Sequence, residues 1–283
     1  MHSENNLMSA AGVQMPRIIY GTAWKKQATA GLVELALRTG FRGIDTACQP
    51  KHYHEVGVGD GIKAAMRGGF LTREQLYLQT KFTLLNGQDP LRIPYDPKAK
   101  LAEQVGQSLQ MSLKNLQTEY LDGLILHSPL ADRQQLLEVW QAMEMGVQAG
   151  YVRQLGISNC YDPPVFKFLY ETATIKPALI QNRFYVDSGY DVALRAFCNQ
   201  HAVIYQSFWT LTANPGILAA TELENLAIQY QRTPAQIFFR YLTQQGIVPL
   251  TGTQSEKHMH EDLAIFEFDL TEDESQKISS LLQ

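Results

Sequence analysis

The chain has 283 residues, 45% hydrophobic and 18% charged, a balance that builds a packed core and excludes disorder or a collagen-like repeat. Its formal charge of −4 is spread without a long block of either sign, so neither nucleic acid nor an anionic membrane is expected as a partner. The opening MHSENNLMSA has no basic start followed by an apolar stretch, and Cys48, Cys160 and Cys198 form no Cys-x-x-Cys pair. Reduced thiols in a cytoplasmic monomer with no membrane span are therefore expected.

Short β-rich runs alternate with amphipathic segments from about residue 17 onward, the signature of repeated βαβ units. The strands are expected at 17–23, 43–47, 76–82, 120–127, 152–159, 178–185, 202–208 and 247–252. Runs such as LDGLILH and AVIYQSF are continuously apolar, as parallel strands covered on both faces require. Between them Leu101, Val105, Leu109 and Leu113 recur every four residues, and Leu136, Val139, Trp140 and Met143 fall at helical spacing. Gly40, Gly150 and Gly246 are placed to end helices just before strands, and Thr233-Pro234 to begin one. Eight such units with no linker and no Gly-x-Gly-x-x-Gly after the first strand predict an α/β fold, a (β/α)8 TIM barrel forming one domain over residues 1–283. The segment before it, turning at Gly12, is expected to form a β-hairpin closing the bottom of the barrel. The proline-rich stretch 83–100 is expected at the opposite, C-terminal face.

Chemistry in such a barrel sits where the strands end. Asp45, Lys81 and His127 end the second, third and fourth strands, Ser158-Asn159 the fifth and Gln181-Asn182 the sixth. A buried lysine beside a carboxylate keeps its charge and can lower the pKa of a nearby phenol, making it a general acid. A tyrosine is needed to complete that set. His52 and His54, and His258 and His260, are His-x-His pairs without a third ligand at a recognised spacing, and are read as loop histidines, with no metal expected.

The ordered segments GIDTA, EVGVGDGI, LQTKF, LILHSP, QLGISN, ALIQNRFY and GIVPLTGT resemble those of the aldo-keto reductases over roughly residues 15–283. The resemblance implies a barrel binding a nicotinamide dinucleotide across its C-terminal face and reducing an aldehyde or ketone, with a tyrosine protonating the incipient alkoxide. It pairs Asp45 with Lys81, has Lys81 lower the tyrosine pKa, and gives His127 the substrate carbonyl. The family's tyrosine usually stands five residues after the aspartate, where this sequence has Pro50; Tyr53, eight residues after Asp45, is the candidate acid. That displacement leaves open a second reading, a non-catalytic dinucleotide-binding barrel acting as a redox sensor or scaffold.

For the cofactor, the resemblance places Ser158, Asn159 and Gln181 at the carboxamide and Gly21-Thr22 at the nicotinamide end. Ser207 is expected to face the pyrophosphate, while Gln206 stands where a ring should stack on nicotinamide, with Tyr205 or Phe208 beside it. Gly252 and Thr253 would offer backbone amides to phosphate oxygens. Lys257, His258 and Asp262 match the stretch that grips the 2′-phosphate, but only Lys257 is fully basic, so NADPH is expected with NADH possible. The chain ends soon after a last helix, so an open pocket is expected, bounded by Trp24, Trp209 and the 83–100 loop.

Overall fold

A computed structural model describes residues 6–282 of the chain. Ten strands run β1 Asn6–Met8, β2 Gln14–Pro16, β3 Ile19–Gly21, β4 Gly43–Asp45, β5 Tyr77–Phe82, β6 Gly123–Leu126, β7 Leu155–Ser158, β8 Leu179–Arg183, β9 Ile204–Phe208 and β10 Val248–Thr251. The helices are α1 Thr29–Thr39, α2 Glu55–Arg67, α3 Leu101–Leu116, α4 Arg133–Gln148, α5 Pro163–Thr172, α6 Val192–Gln200, α7 Pro215–Leu218, α8 Thr221–Tyr230, α9 Pro234–Gln244, α10 Glu256–Leu263 and α11 Glu272–Ser279. Strands β3 to β10 close into a parallel barrel in sequence order, β10 pairing β3. Each barrel strand, β3 to β10, lies inside one of the eight ranges expected from the sequence, and the fold is a (β/α)8 barrel.

Alternation along each strand sorts side chains into two cores. Outward residues such as Tyr20, Ile44, Leu78, Leu124, Ile157 and Tyr205 join the helix-facing core, with Trp140, Phe166 and Phe238 fully buried in it. Inward residues Ile19, Tyr77, Ile125, Leu179, Ile204, Val248 and Leu250 pack inside the barrel with Val13 and Met15 from the N-terminal hairpin. That hairpin, β1 against β2 with Leu7 opposite Met15, thus plugs the barrel bottom as expected. On β7 the inward position is Gly156, and a Cβ there would lie 2.3 Å from Leu179, so this strand gives up volume for its neighbour's leucine. Thr233 caps α9 through a reciprocal pair with Gln236, and Gly40, Gly150 and Gly246 adopt the positive φ expected of helix ends.

The 83–100 segment departs from expectation. Gln88 donates to the Cys48 and Thr83 carbonyls, Tyr95 donates to the Thr83 carbonyl, and the Tyr95 ring packs on Phe82 at 5.7 Å. These anchors hold the loop at the C-terminal face, where Gln49 donates to the Gly87 carbonyl, but none of its residues lines the main cleft; Arg92 borders only a smaller pocket with Trp24, His52 and Tyr53. The three cysteines are buried free thiols.

Candidate active site

The sheet register sets Gly21, Asp45, Gln79 and Gly123 side by side, and likewise Ser158, Gln181, Gln206 and Val248. Inward polar groups from one half of the barrel therefore meet those from the other near its axis. Asp45, 3% exposed, receives Lys81 Nζ on both oxygens, Oδ1 at 2.7 Å and Oδ2 at 2.6 Å, and Lys81 also donates to the Thr46 carbonyl at 2.9 Å. Gln79 and Gln181 each donate an amide N–H to Asp45 Oδ1, at 2.7 and 3.0 Å. Burial lowers the Lys81 pKa, and the charge and hydrogen bond of Asp45 oppose that shift.

Tyr53 reaches this pair from the β4–α2 loop. Tyr53 N–H and His52 N–H both donate to the Gln49 carbonyl, closing a turn through Pro50, and Trp24 N–H donates to the His52 carbonyl at 2.7 Å. The turn brings the half-buried Tyr53 ring 5.2 Å from Lys81 Nζ and 6.0 Å, edge-on, from His127. Its hydroxyl has no hydrogen-bond partner among the described residues and faces the cleft. Its pKa is pushed up, by burial first and the Asp45 charge second, a correction to the expectation that Lys81 lowers it. Both Asp45 oxygens hold the ammonium, so the pair acts at Tyr53 as a dipole, leaving the phenol firmly protonated.

His127 Nδ1 lies 2.6 Å from Thr83 Oγ1, which leaves Nε2 for the cleft. Burial, then Lys81, then His52 lower its pKa to about 3, so the ring is neutral at pH 7. Its carbonyl accepts from Asn159 Nδ2 at 2.8 Å. Trp24, Asn159 and Trp209 all have positive φ, of 65, 52 and 54 degrees. This costly backbone for tryptophan concentrates at the mouth, as strain does at functional sites.

The cleft above these groups has a volume of about 760 Å³, within the usual range for small-molecule sites. Of the residues expected here, Gly21, Trp24, Asp45, Tyr53, His127, Ser158, Asn159, Gln181, Trp209, Gly252, Thr253, His258 and Asp262 line it, and Thr22, Lys81, Gln206, Ser207 and Lys257 do not, Lys81 lying buried behind Asp45. Thr22 is buried, its hydroxyl donating to the Asp45 carbonyl at 2.9 Å. Ser207 falls at an outward position of β9, buried, and accepts from the Thr210 hydroxyl. Lys257 projects from α10 into solvent beside Glu261. Gln206 points inward but lies below the floor, exchanging amide hydrogen bonds with Gln79 and accepting from Gln181 at 2.8 Å. Tyr205 turns outward to Asp191, so Phe208 and Trp209 are the aromatic groups of this strand end that face the cleft.

Several lining residues escaped the sequence reading. Lys25, 5% exposed, donates to the Gly252 carbonyl at 2.8 Å and has no carboxylate partner among the described residues; burial lowers its pKa to about 8. Arg183, two positions beyond Gln181, could have been found by extending the inward alternation of β8. Asp262, which the sequence did indicate, accepts from the Thr251 hydroxyl at 2.6 Å, and burial first, with Glu261 adding, raises its pKa to about 7.

The donor set fits a nicotinamide dinucleotide. A carboxylate only accepts, so the Gln181 amide nitrogen must face Asp45, and its oxygen, unpartnered among the described residues, is left for a carboxamide N–H. At the other end a Cβ on Gly252 would meet only Lys25 Nζ, at 3.9 Å, so a phosphate has room to approach this backbone beside a buried ammonium.

A sequence model of the Aldo/keto reductase family matches residues 17–283. Among curated relatives, the NAD(P)H-dependent D-xylose reductase of Candida tenuis is 26% identical over 310 residues, covering 96% of this chain and 91% of its own. The D-galacturonate reductase of Fragaria ananassa is 28% identical over 287 residues, covering 93% and 84%. Among solved structures, a Bombyx mori aldo-keto reductase in complex with NADP superposes with a TM-score of 0.82 at 25% identity, covering 97% of this chain and 92% of that one. An aldo/keto reductase of Brucella melitensis shares the fold with a TM-score of 0.83 at 23% identity, covering 98% of each chain. With its family match spanning nearly every residue, the chain belongs to the aldo/keto reductase family.

Proposed function

We propose that this aldo/keto reductase reduces a small aldehyde or ketone to the alcohol with NADPH as preferred cofactor, and that Tyr53 supplies the proton. The observation that carries this reading is the meeting of Tyr53 with Lys81 and His127 at one cleft floor, although its position in sequence is three residues beyond the usual one. The dinucleotide, when bound, supplies the hydride. Gln181, Ser158 and Asn159 would hold its carboxamide, Gly21 its nicotinamide end, Lys25, Gly252 and Thr253 its phosphates, and His258 with Asp262 its adenosine end.

The remaining steps belong to the chain's own side chains. Neutral His127 donates from Nε2 to the substrate carbonyl oxygen, a tautomer compatible with the Thr83 hydroxyl donating to Nδ1. Tyr53 Oη then passes its proton to the alkoxide oxygen as it forms. The phenolate left behind lies within reach of the Lys81 charge, and the cleft opens to water for reprotonation. Trp24, tilted 35 degrees against His52 with ring centres 3.8 Å apart, and Trp209 wall the substrate. The same grouping supports an enzyme over a dinucleotide-binding scaffold.

Tyr53→Phe tests the assignment. Its kcat for a simple aldehyde should fall by roughly 100-fold or more, the usual contribution of a general acid, while the NADPH dissociation constant read from tryptophan quenching stays within about threefold of wild type. Near wild-type turnover would remove Tyr53 from the role.

A further inference from the structure

Arg183 ends β8 and lines the cleft that holds Tyr53 and His127. Its guanidinium lies 4.3 Å from the Trp209 ring and 5.0 Å from the Tyr185 ring. Stacking of this kind fixes the plane of the group while leaving its N–H edge free to donate. Among the described residues no carboxylate pairs with it and no side-chain acceptor receives its N–H groups; Nε is buried without a partner. The acidic residues of the same cleft are engaged elsewhere: Asp45 by Lys81, Glu261 by Lys257, and Asp262 by Thr251.

The backbone at Arg183 is tied to that of His127 by a short hydrogen-bond relay. The main-chain N–H of Arg183 donates to Tyr161 Oη at 3.1 Å, Tyr161 donates to Asn159 Oδ1 at 3.3 Å, and Asn159 donates to the His127 carbonyl at 2.8 Å. Strand β8 is two strands from the end of β6 that bears His127, on the order of 10 Å at the usual strand spacing. A guanidinium with a free fork, on a strand that far from the one bearing a carbonyl-orienting histidine and lining the same cleft, matches a substrate carrying an anionic group on the far side of the molecule from its carbonyl.

We propose that Arg183 binds the carboxylate of an acidic carbonyl substrate, so that the enzyme selects carboxylated aldehydes or ketones over neutral ones. This rests on the reductase reading above and goes beyond it in naming the substrate class. The other source of the same chemistry is the cofactor pyrophosphate, and the test separates the two.

The probes are 4-carboxybenzaldehyde and its neutral methyl ester, each assayed with NADPH for wild type, Arg183→Met and Arg183→Lys. Wild type should prefer the acid in kcat/KM. In Arg183→Met the acid-to-ester ratio should fall by roughly 10- to 150-fold, the range for losing a charge-assisted contact, and Arg183→Lys should recover only part of it. Raised salt should narrow the wild-type ratio. An unchanged ratio, including one that accompanies a weakened NADPH dissociation constant, overturns the proposal and in the second case assigns Arg183 to the pyrophosphate. If wild type binds NADPH yet reduces neither aldehyde, the reductase reading fails on its own, and binding of 4-(hydroxymethyl)benzoate, read by tryptophan fluorescence, still decides: a dissociation constant at least about 10-fold weaker in Arg183→Met supports the carboxylate site, and an equal one refutes it.

Discussion

Lys81→Met is the sharpest test of how the site is held together, because it separates the two things the ion pair does. Asp45 is 3% exposed and takes the ammonium at 2.7 and 2.6 Å. Without it, only the amides of Gln79 and Gln181 remain on the carboxylate. Stripping one partner from a buried pair costs about 3–5 kcal/mol, and the two surviving donors place the expected loss toward the lower end. With an unfolding entropy of about 2.1 cal/mol/K per residue, a chain of 283 residues should lose roughly 5–8 °C in Tm. The catalytic effect is separate. At 5.2 Å from the Tyr53 ring, a lysine charge contributes about 3 kcal/mol at an effective dielectric constant near 20, or roughly 100-fold in rate. Tm is read by thermal unfolding and turnover by NADPH oxidation. The double variant Asp45→Asn/Lys81→Met, with neither charge buried, should regain most of the lost stability and, with the opposing Asp45 charge also gone, part of the activity. A single variant that melts within about 1 °C of wild type and keeps full turnover refutes the buried-pair argument, as does a double variant no more stable than the single.

The neutral His127 makes stability fall in acid. The unfolded chain takes up this proton near the ordinary value of about 6.5 and the folded chain only near 3, so the contribution is full above the first and is lost as pH falls toward the second. Between pH 7 and 5 that is at most about 1.9 kcal/mol, so His127→Gln should show a Tm drop over this interval smaller than wild type by up to roughly 3 °C; equal drops would mean the ring is not held neutral. Asp262 has the opposite sign: with a folded pKa of about 7, its contribution is present in acid and lost as pH rises, so Asp262→Asn should raise Tm more at pH 8 than at pH 5. His258→Arg should tighten NADPH binding by about 10-fold or more through a bidentate 2′-phosphate contact, with NADH nearly unchanged; equal tightening of both would place residue 258 away from that phosphate.

Strand positions and the bottom hairpin were legible in the sequence because both rest on local signals, period and turn chemistry, that burial does not override. Asp45, Lys81 and His127 were legible for a related reason: a polar or charged residue that closes a barrel strand has few places to go except toward the mouth. The loop 83–100 was not, since proline content says that a segment is a loop but not where it is anchored; Gln88 and Tyr95 decide that through the carbonyls of Cys48 and Thr83. Ser207 was misplaced because a matched motif carries no strand parity, and one step along β9 turns a side chain from the cleft to the helices. Arg183 was missed for want of the same parity argument applied to β8.

Gln206 shows most clearly what pairwise matching hides. At a position where the family pattern calls for an aromatic ring, its amide donates to Gln79 and to Met15 Sδ and accepts from Gln79 and Gln181. Tyr77 donates to the same Gln79 oxygen, and Gln154 donates to Tyr77. The direction of every bond in this chain follows from one fact, that Asp45 can only accept: it fixes the amide of Gln181, whose second N–H then needs the Gln206 oxygen, which turns the Gln206 nitrogen toward Gln79. The Asp45 charge thereby orients both the floor of the cleft and the hydrogen bonds reaching down to the hairpin plug. A ring at 206 would break the chain at its centre, and the aromatic groups that this strand end offers the cleft are instead Phe208 and Trp209, the latter at a positive φ of 54 degrees.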